Sequence, residues 1–150
     1  MAAYRPNVCI AIRKAGTNLL LLCHRKGFPA DKGWQLPQGG LHKGADLISE
    51  MRRELAEETG IRDVSIVKVA PGPYVYEFPP GHPRKHQGYA GQTQQWVLAD
   101  FAGTDESIDF SCEPAEFDSW SWESARTVLD KIVDFKKEPY SRALADLGLL

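Results

Sequence analysis

The chain has 150 residues and 16.7 kDa, with 43% hydrophobic and 25% charged residues, the composition of a globular protein large enough for a core of its own. Eighteen basic and twenty acidic side chains leave a net charge of −2, which excludes wrapping of nucleic acid by bulk charge and argues against a disordered acidic tail. The longest apolar run, Leu19 to Cys23, is far short of the roughly 18 residues of a membrane span, and the opening MAAYRPNV has no apolar stretch of signal-peptide length.

In chain order, Val8 to Ile12 and Asn18 to Cys23 read as two strands joined by a hairpin turn at Lys14–Thr17. Gly27 to Gly33 is a polar loop. Trp34 to Pro37 is extended, because Pro37 biases Leu36 away from helix. Gln38-Gly39-Gly40 opens a loop that runs to Gly44. Asp46 to Thr59 is the clearest helix, with an acidic residue to cap its start and Gly60 to end it. Val64 to Val69 and Tyr74 to Phe78 read as strands, interrupted by Pro71-Gly72-Pro73. Pro79 to Gly91 reads as a long loop with His82, Arg84, Lys85 and His86 as a basic rim. Gln94 to Phe101 has the apolar character of a central strand. Residues 103–115 form an acidic connection with a short strand near Ile108, and Trp120 to Trp122 is a strand end. Ser124 to Lys131 and Glu138 to Leu147 read as helices, the second with Pro139 in its first turn. This order predicts a single α/β or α+β domain over residues 1–150. Cys9 and Cys23 fall in apolar runs, so buried free thiols are expected, as in a reducing cytosol.

Charge is unevenly spread. Residues 1–90 carry thirteen basic and eight acidic side chains, and residues 91–150 carry five and twelve. The basic half can face an anionic ligand and the acidic half can help hold a cation; two solvated faces is the plainer reading.

The helix at 46–59 is unusual. At about 100° per residue with Met51 as zero, Leu55 lies at about +40°, Ile48 at +60° and Leu47 at −40°, which defines the buried arc. Glu54 at about −60°, Glu50 at −100°, Glu57 at −120° and Glu58 at −20° form an acidic stripe, and Glu58 intrudes on that arc. A solvated acidic face is the usual explanation. Here Glu50/Glu54 and Glu54/Glu58 are repelling i,i+4 pairs, and Arg53 cannot neutralise all four. A hard divalent cation such as Mg²⁺ can, and Glu54, Glu57 and Glu58 have i, i+3, i+4 spacing that converges on one point. The upstream glycines Gly39, Gly40 and Gly44 allow close backbone approach to an anion.

Gly39 followed by the run Arg53-Glu54-Leu55-Ala56-Glu57-Glu58-Thr59-Gly60-Ile61 resembles the Nudix box, with Ala45 where the box has its first Glu. In the family that Glu braces the box arginine, and Asp46 or Glu50 is placed to substitute. YRPNV at 4–8, WQLPQGG at 34–40, GQTQQW at 91–96, EFDSWSW at 116–122 and VDFKKEPY at 133–140 are similar to bacterial RNA 5′-pyrophosphohydrolases and to the related asymmetric diadenosine tetraphosphate hydrolases. The loop GFPADKG is closer to the latter.

The resemblance implies a Nudix α-β-α sandwich with a mixed central sheet. It implies an enzyme of mRNA decay in the cytoplasm that removes pyrophosphate from 5′-triphosphorylated RNA. Hydrolysis of diadenosine tetraphosphate to ATP and AMP is the alternative, and a Nudix-fold binding protein that has lost catalysis is a third, resting on Ala45. It implies Mg²⁺ or Mn²⁺ held by Glu54, Glu57 and Glu58, with Glu116 as a further ligand or base, Glu57 as proton acceptor, and Arg53 in the catalytic set. Arg5, Arg25, Gly39, Gly40 and Lys43 would contact phosphates. Tyr76, Phe135 and Lys136 would hold a base, with Tyr89 a better stacking candidate than Tyr76. No membrane or DNA duplex is implied. Trp34, Trp96, Trp120 and Trp122 are assigned mostly to the core and Asp118 to a structural role.

Overall fold

The computed structural model describes residues 3–112 and 114–150; Met1, Ala2 and Glu113 lie outside the described residues. Its strands are β1 (Ala3–Lys14), β2 (Leu20–Arg25), β3 (Trp34–Gln35), β4 (Gln38–Gly40), β5 (Val64–Val69), β6 (Tyr74–Glu77), β7 (Tyr89–Phe101) and β8 (Phe117–Glu123), and its helices α1 (Leu47–Thr59), α2 (Ala125–Lys131) and α3 (Asp134–Asp146). They build one mixed sheet. β1 and β7 run parallel at its centre, in register from Tyr4↔Gly91 to Lys14↔Phe101 with a one-residue shift before Tyr4, and the remaining pairings are antiparallel. β7 carries β5 and β6 on its far side, while β1 pairs with β4 at Asn7–Cys9 and with β2 at Arg13.

Alternation along β1 divides the core. Val8, Ile10 and Ile12 face α1 with Met51 and Leu55, and Cys9 and Ala11 face α2 and α3 with Val128, Tyr140 and Leu144. Met51 and Leu55 are fully buried, each contributing about 2 kcal/mol of apolar burial. The result is the expected α-β-α sandwich. Among the described residues no helix is long and apolar enough to cross a membrane.

α1 starts and stops as its residues dictate. Asp46 Oδ2 accepts from the Ser49 amide at 2.9 Å, which lowers the carboxyl pKa, and Gly60 at φ 74° closes the last turn onto the Ala56 carbonyl.

Several boundaries differ from expectation. Gln38–Gly40 is a strand, not a loop, because β1 supplies its main-chain partners. β1 and β7 extend well beyond their apolar stretches: the polar residues 3–7 and 89–94 continue the ladder. Pro83–Gln87 is a 3₁₀ turn capped by His82. Ile108 ends a 3₁₀ turn and is not in a strand, whereas β8 starts at Phe117. α3 begins four residues before the expected Glu138, so Pro139 sits inside it and cannot return the N–H that the Phe135 carbonyl would accept. Trp96 is fully buried, but Trp34, Trp120 and Trp122 are half-buried at the margins of the core. Cys9 and Cys23 are buried free thiols, and Cys112 is exposed.

His24 fixes the segment after β2. Its Nδ1 lies 2.7 Å from Asp118 Oδ1 and its Nε2 lies 2.9 Å from the Pro29 carbonyl oxygen. A carbonyl only accepts, so the imidazolium, with two N–H donors, satisfies both contacts. The Asp118 hydrogen bond accordingly raises the His24 pKa above 6.5, and His24 lowers that of Asp118. A raised folded-state value stabilises fully below the unfolded pKa and is lost as pH rises through the folded one. Melting of the wild type is therefore expected to show its full advantage over Asp118→Asn below the free imidazole value of 6.5 and to lose it as pH rises through the raised folded value. An advantage unchanged by that rise in pH would contradict the charged pair.

Candidate active site

A cleft of about 1030 Å³ opens on the α2/α3 side of the sheet, over the N-terminal half of β1. β1 contributes Arg5 and Asn7, β7 contributes Gln92, and β6 contributes Tyr76. The first turn of α3 adds Phe135 and Lys136, and the segment after β2 adds Arg25 and Phe28. Glu54 and Glu58 of α1 and Glu116 before β8 also line it, near enough for the charges of Glu116 and Glu54 to act on Glu58.

Glu58 is the most perturbed group there. Its Oε2 is buried without a hydrogen-bond partner. Burial, then the charges of Glu116 and Glu54, push its carboxyl up to about 9. Burial also raises Glu54. The Glu58 oxygen lacks a positive partner, and a hard divalent cation is the group that such oxygen donors fit.

The sequence expectation that Glu54, Glu57 and Glu58 converge on one point is corrected. Glu57 is exposed and lines a separate groove on the outer side of α1. Arg53 holds it there, with Nη1 3.1 and 3.2 Å from its two oxygens. The same guanidinium binds Glu54 Oε1 at 3.1 Å and Glu50 Oε2 through Nε at 3.1 Å and through Nη2. Among the described residues no ready-made cluster of three metal-ligating side chains forms. Ala45 is exposed. Of its two candidate substitutes, Asp46 is occupied in capping α1, and Glu50 makes the contact with Arg53.

Gly39 and Gly40 line the cleft, and each also makes room for a neighbouring side chain. A Cβ on Gly39 would occupy the place of the Glu54 carboxyl carbon, and one on Gly40 would come within 2.7 Å of Arg5 Nη2. They admit the site's own side chains. Gly44 has φ 80° in an open turn, and Lys43 is exposed beside it and is not among the residues that line the cleft.

Arg5 Nη1 donates to Gln92 Oε1 at 2.8 Å, and burial followed by Arg84 lowers its pKa. Lys136 is 8% exposed, makes no hydrogen bond through Nζ among the described residues, and is pushed down to about 8 by burial. Its Nζ lies 5.8 Å from the Tyr76 ring centroid. The Phe135 ring is 5.7 Å from Tyr76 and 6.0 Å from His82, so it is both packed and cleft-facing. Tyr76 lines the cleft and Tyr89 does not, which corrects the preference between them.

Sequence reasoning missed Arg84, which belongs to the cleft with His82, while His82 stacks on Phe78 at 4.2 Å. It also missed the buried amides Asn7, Gln92 and Gln94. The available signal was period two: Gln92 and Gln94 share a strand face with the core residues Trp96 and Leu98.

Comparison with known proteins gives a match to the family described as NUDIX domain over residues 3–144. The chain is 37% identical over 147 residues to an RNA pyrophosphohydrolase of Caulobacter vibrioides, covering 95% of this chain and 84% of that protein. It is 35% identical over 150 residues to the chloroplastic Nudix hydrolase 26 of Arabidopsis thaliana, covering 95% and 68%. In fold it is similar to the E. coli dihydroneopterin triphosphate pyrophosphohydrolase, with TM-score 0.67, 16% identity and coverage of 96% and 99%. It is also similar to a C. elegans Ap4A hydrolase, with TM-score 0.64, 19% identity and coverage of 96% and 98%.

Gly39→Ala is expected to displace the Glu54 carboxylate and lower turnover about a hundredfold or more while the protein melts near the wild-type temperature. Wild-type turnover in that variant would show that the close packing of Glu54 is not needed.

Proposed function

The chain belongs to the Nudix family, and from that membership we propose that it removes pyrophosphate from 5′-triphosphorylated RNA, leaving a 5′-monophosphate. The carrying observation is the unpartnered, buried Glu58 oxygen beside Glu54 and Glu116, at one end of a cleft otherwise walled by Arg5, Arg25, Arg84, Lys136 and aromatic rings. The acidic end suits Mg²⁺ or Mn²⁺ and the basic walls suit phosphates. A 5′ RNA end as substrate makes this a cytoplasmic enzyme of mRNA decay.

In this reading Glu54, Glu58 and Glu116 hold the cation, which neutralises phosphate charge and lowers the pKa of water when bound. Glu57 joins them only by leaving Arg53, so Arg53 is a positioning residue for the carboxylates. Water attacks phosphorus, the anhydride P–O bond breaks, and pyrophosphate departs; the proton of the water passes to a carboxylate of the α1 stripe, and Glu57 can be that carboxylate only once it has left Arg53. Arg5 and Arg25 bind phosphate oxygens, with Arg84 beside Arg5. Phe135 and Tyr76 offer an aromatic surface for a base, and Lys136 a charge next to it. Lys43 has no part in this arrangement.

A second reading, asymmetric cleavage of diadenosine tetraphosphate, has one observation of its own. The segment 27–33 brings Phe28, 45% exposed, and half-buried Trp34 into the cleft as a second aromatic wall, suited to a second nucleoside. The reading as a binding protein without catalysis loses its support, since Glu50 braces Arg53 despite Ala45.

Parallel assays of 5′-triphosphate RNA and diadenosine tetraphosphate with Mg²⁺ decide the substrate; a higher kcat/KM for the RNA is expected, and a higher one for the dinucleotide would reverse the order of the two readings. Hydrolysis of neither would end both.

Glu58→Gln tests the acidic end independently. A carboxyl raised in the folded state costs stability increasingly as pH climbs from its unfolded value toward about 9. In chelator, the variant should melt above the wild type at about pH 8 and close to it at about pH 5. Mn²⁺ should raise the wild-type melting temperature much more than that of the variant. Equal stabilisation of both by Mn²⁺ would remove Glu58 from the metal site.

A further inference from the structure

The floor of the cleft contains side-chain amides whose orientation is fixed by groups that can only donate. Trp96 Nε1 donates to Gln94 Oε1 at 3.1 Å, and an indole has no acceptor to offer in return. Gln94 must therefore turn its NH₂ away from Trp96. That group donates to Asn7 Oδ1 at 2.8 Å and to Gln38 Oε1 at 3.1 Å. Both partners have their oxygens taken, so each is left with an NH₂ to spare. The second relay runs alongside. The Arg5 guanidinium, also only a donor, takes Gln92 Oε1, and Gln92 Nε2 donates to the Tyr76 hydroxyl oxygen, which frees the Tyr76 hydrogen.

Asn7, Gln38, Arg5 and Tyr76 all line the cleft. Asn7 is 1% exposed, and its Nδ2 is buried with no hydrogen-bond partner among the described residues. Buried donors are normally satisfied, so an orphan in a cleft wall marks the place of an acceptor. Two relays that end in donors suit a group that presents acceptors.

We propose that this floor is a phosphate-oxygen subsite, in which the Asn7 and Gln38 amides and the Tyr76 hydroxyl donate to the substrate polyphosphate, and in which Gln94 is a positioning residue that sets their polarity without touching the ligand. The proposal rests on the polyphosphate reading for the identity of the ligand. It assigns discrimination to the floor: ionised phosphate oxygens are accepted, and a group offering only donors, such as an ammonium, is refused, because two donors would face each other.

The test is calorimetric binding of a non-hydrolysable nucleoside triphosphate analogue and of inorganic pyrophosphate, in Mg²⁺, so that it does not depend on turnover. Asn7→Asp keeps the contact with Gln94 and turns an acceptor to the cleft, while Asn7→Leu removes the donor without adding charge. Both should weaken the two ligands by about tenfold or more. Gln94→Glu, which lets Asn7 and Gln38 flip, should do the same from behind the floor. Asn18→Asp, in the exposed hairpin turn, should bind as the wild type does. Gln38→Glu, at a half-buried position, carries the test if the Asn7 variants fail to melt cooperatively. Weakening in Asn7→Asp alone would reduce the effect to charge repulsion and overturn the proposal. So would weakening for the nucleotide but not for pyrophosphate, since the donors would then serve the nucleoside. Failure of the wild type to hydrolyse any polyphosphate would sink the proposed function but leave these affinities to judge the subsite.

Discussion

The parallel ladder between β1 and β7 runs the full length of both strands and changes character half-way along. From Val8 to Ile12 on β1 and from Trp96 to Ala99 on β7 its faces are apolar and lock the two helical layers to the sheet. Before that point the same main-chain hydrogen bonds carry Arg5, Asn7, Gln92 and Gln94. The apolar half supplies the burial that fixes the register, and the register then places the polar half to within a residue, because a slip of one would turn every side chain to the other face. The cleft is thus the unsealed end of the core, and its side chains are held as rigidly as core residues.

The acidic end depends on that register through contacts that leave little slack. β4 is held by β1 at Asn7–Cys9, and its Gly39 makes room for Glu54. α1 is positioned from the opposite layer by Met51 and Leu55. A strand and a helix fixed by different contacts therefore press a carboxylate between them. Glu58, next to Glu54 and Glu116, is left with a buried oxygen and a carboxyl that resists ionisation. Such a site costs stability when empty of positive charge and is repaid by a cation, which ties the folding energy to the chemistry.

How much of this was legible from the residues alone varies with the physics involved. α1 was, since its apolar arc, its Asp46 cap and its terminal Gly60 are local signals that tertiary contacts did not override. β4 was not: Gln-Gly-Gly has no side-chain pattern, and its strand character comes from the main chain of β1. The polar ends of β1 and β7 were missed because alternation is sought in apolar residues, whereas here glutamines and an arginine occupy the inward positions. The separation of Glu57 was half-legible. Its angle lies about 100° from that of Glu58 around the helix, so convergence needed bent side chains, and Arg53 bends this one the other way. Arg84 was placed on a rim because nothing local says that a 3₁₀ turn folds back over Arg5.

The uneven charge of the chain also takes a different meaning in three dimensions. The first ninety residues are basic and the last sixty acidic, but the cleft does not divide along that line. Glu54 and Glu58 come from the basic part and Glu116 from the acidic part, while Arg5 and Arg25 are met across the cleft by Lys136. Parallel pairing of β1 with β7 interleaves the two halves, and the separation that results is spatial: carboxylates at one end, cations and aromatic rings along the walls. The two regions adjoin, since the charge of Glu54 acts on Arg5. Burial, ahead of the neighbouring charges, lowers Lys136 and Arg5 and raises Glu58, so the charged form of each is disfavoured in the cleft.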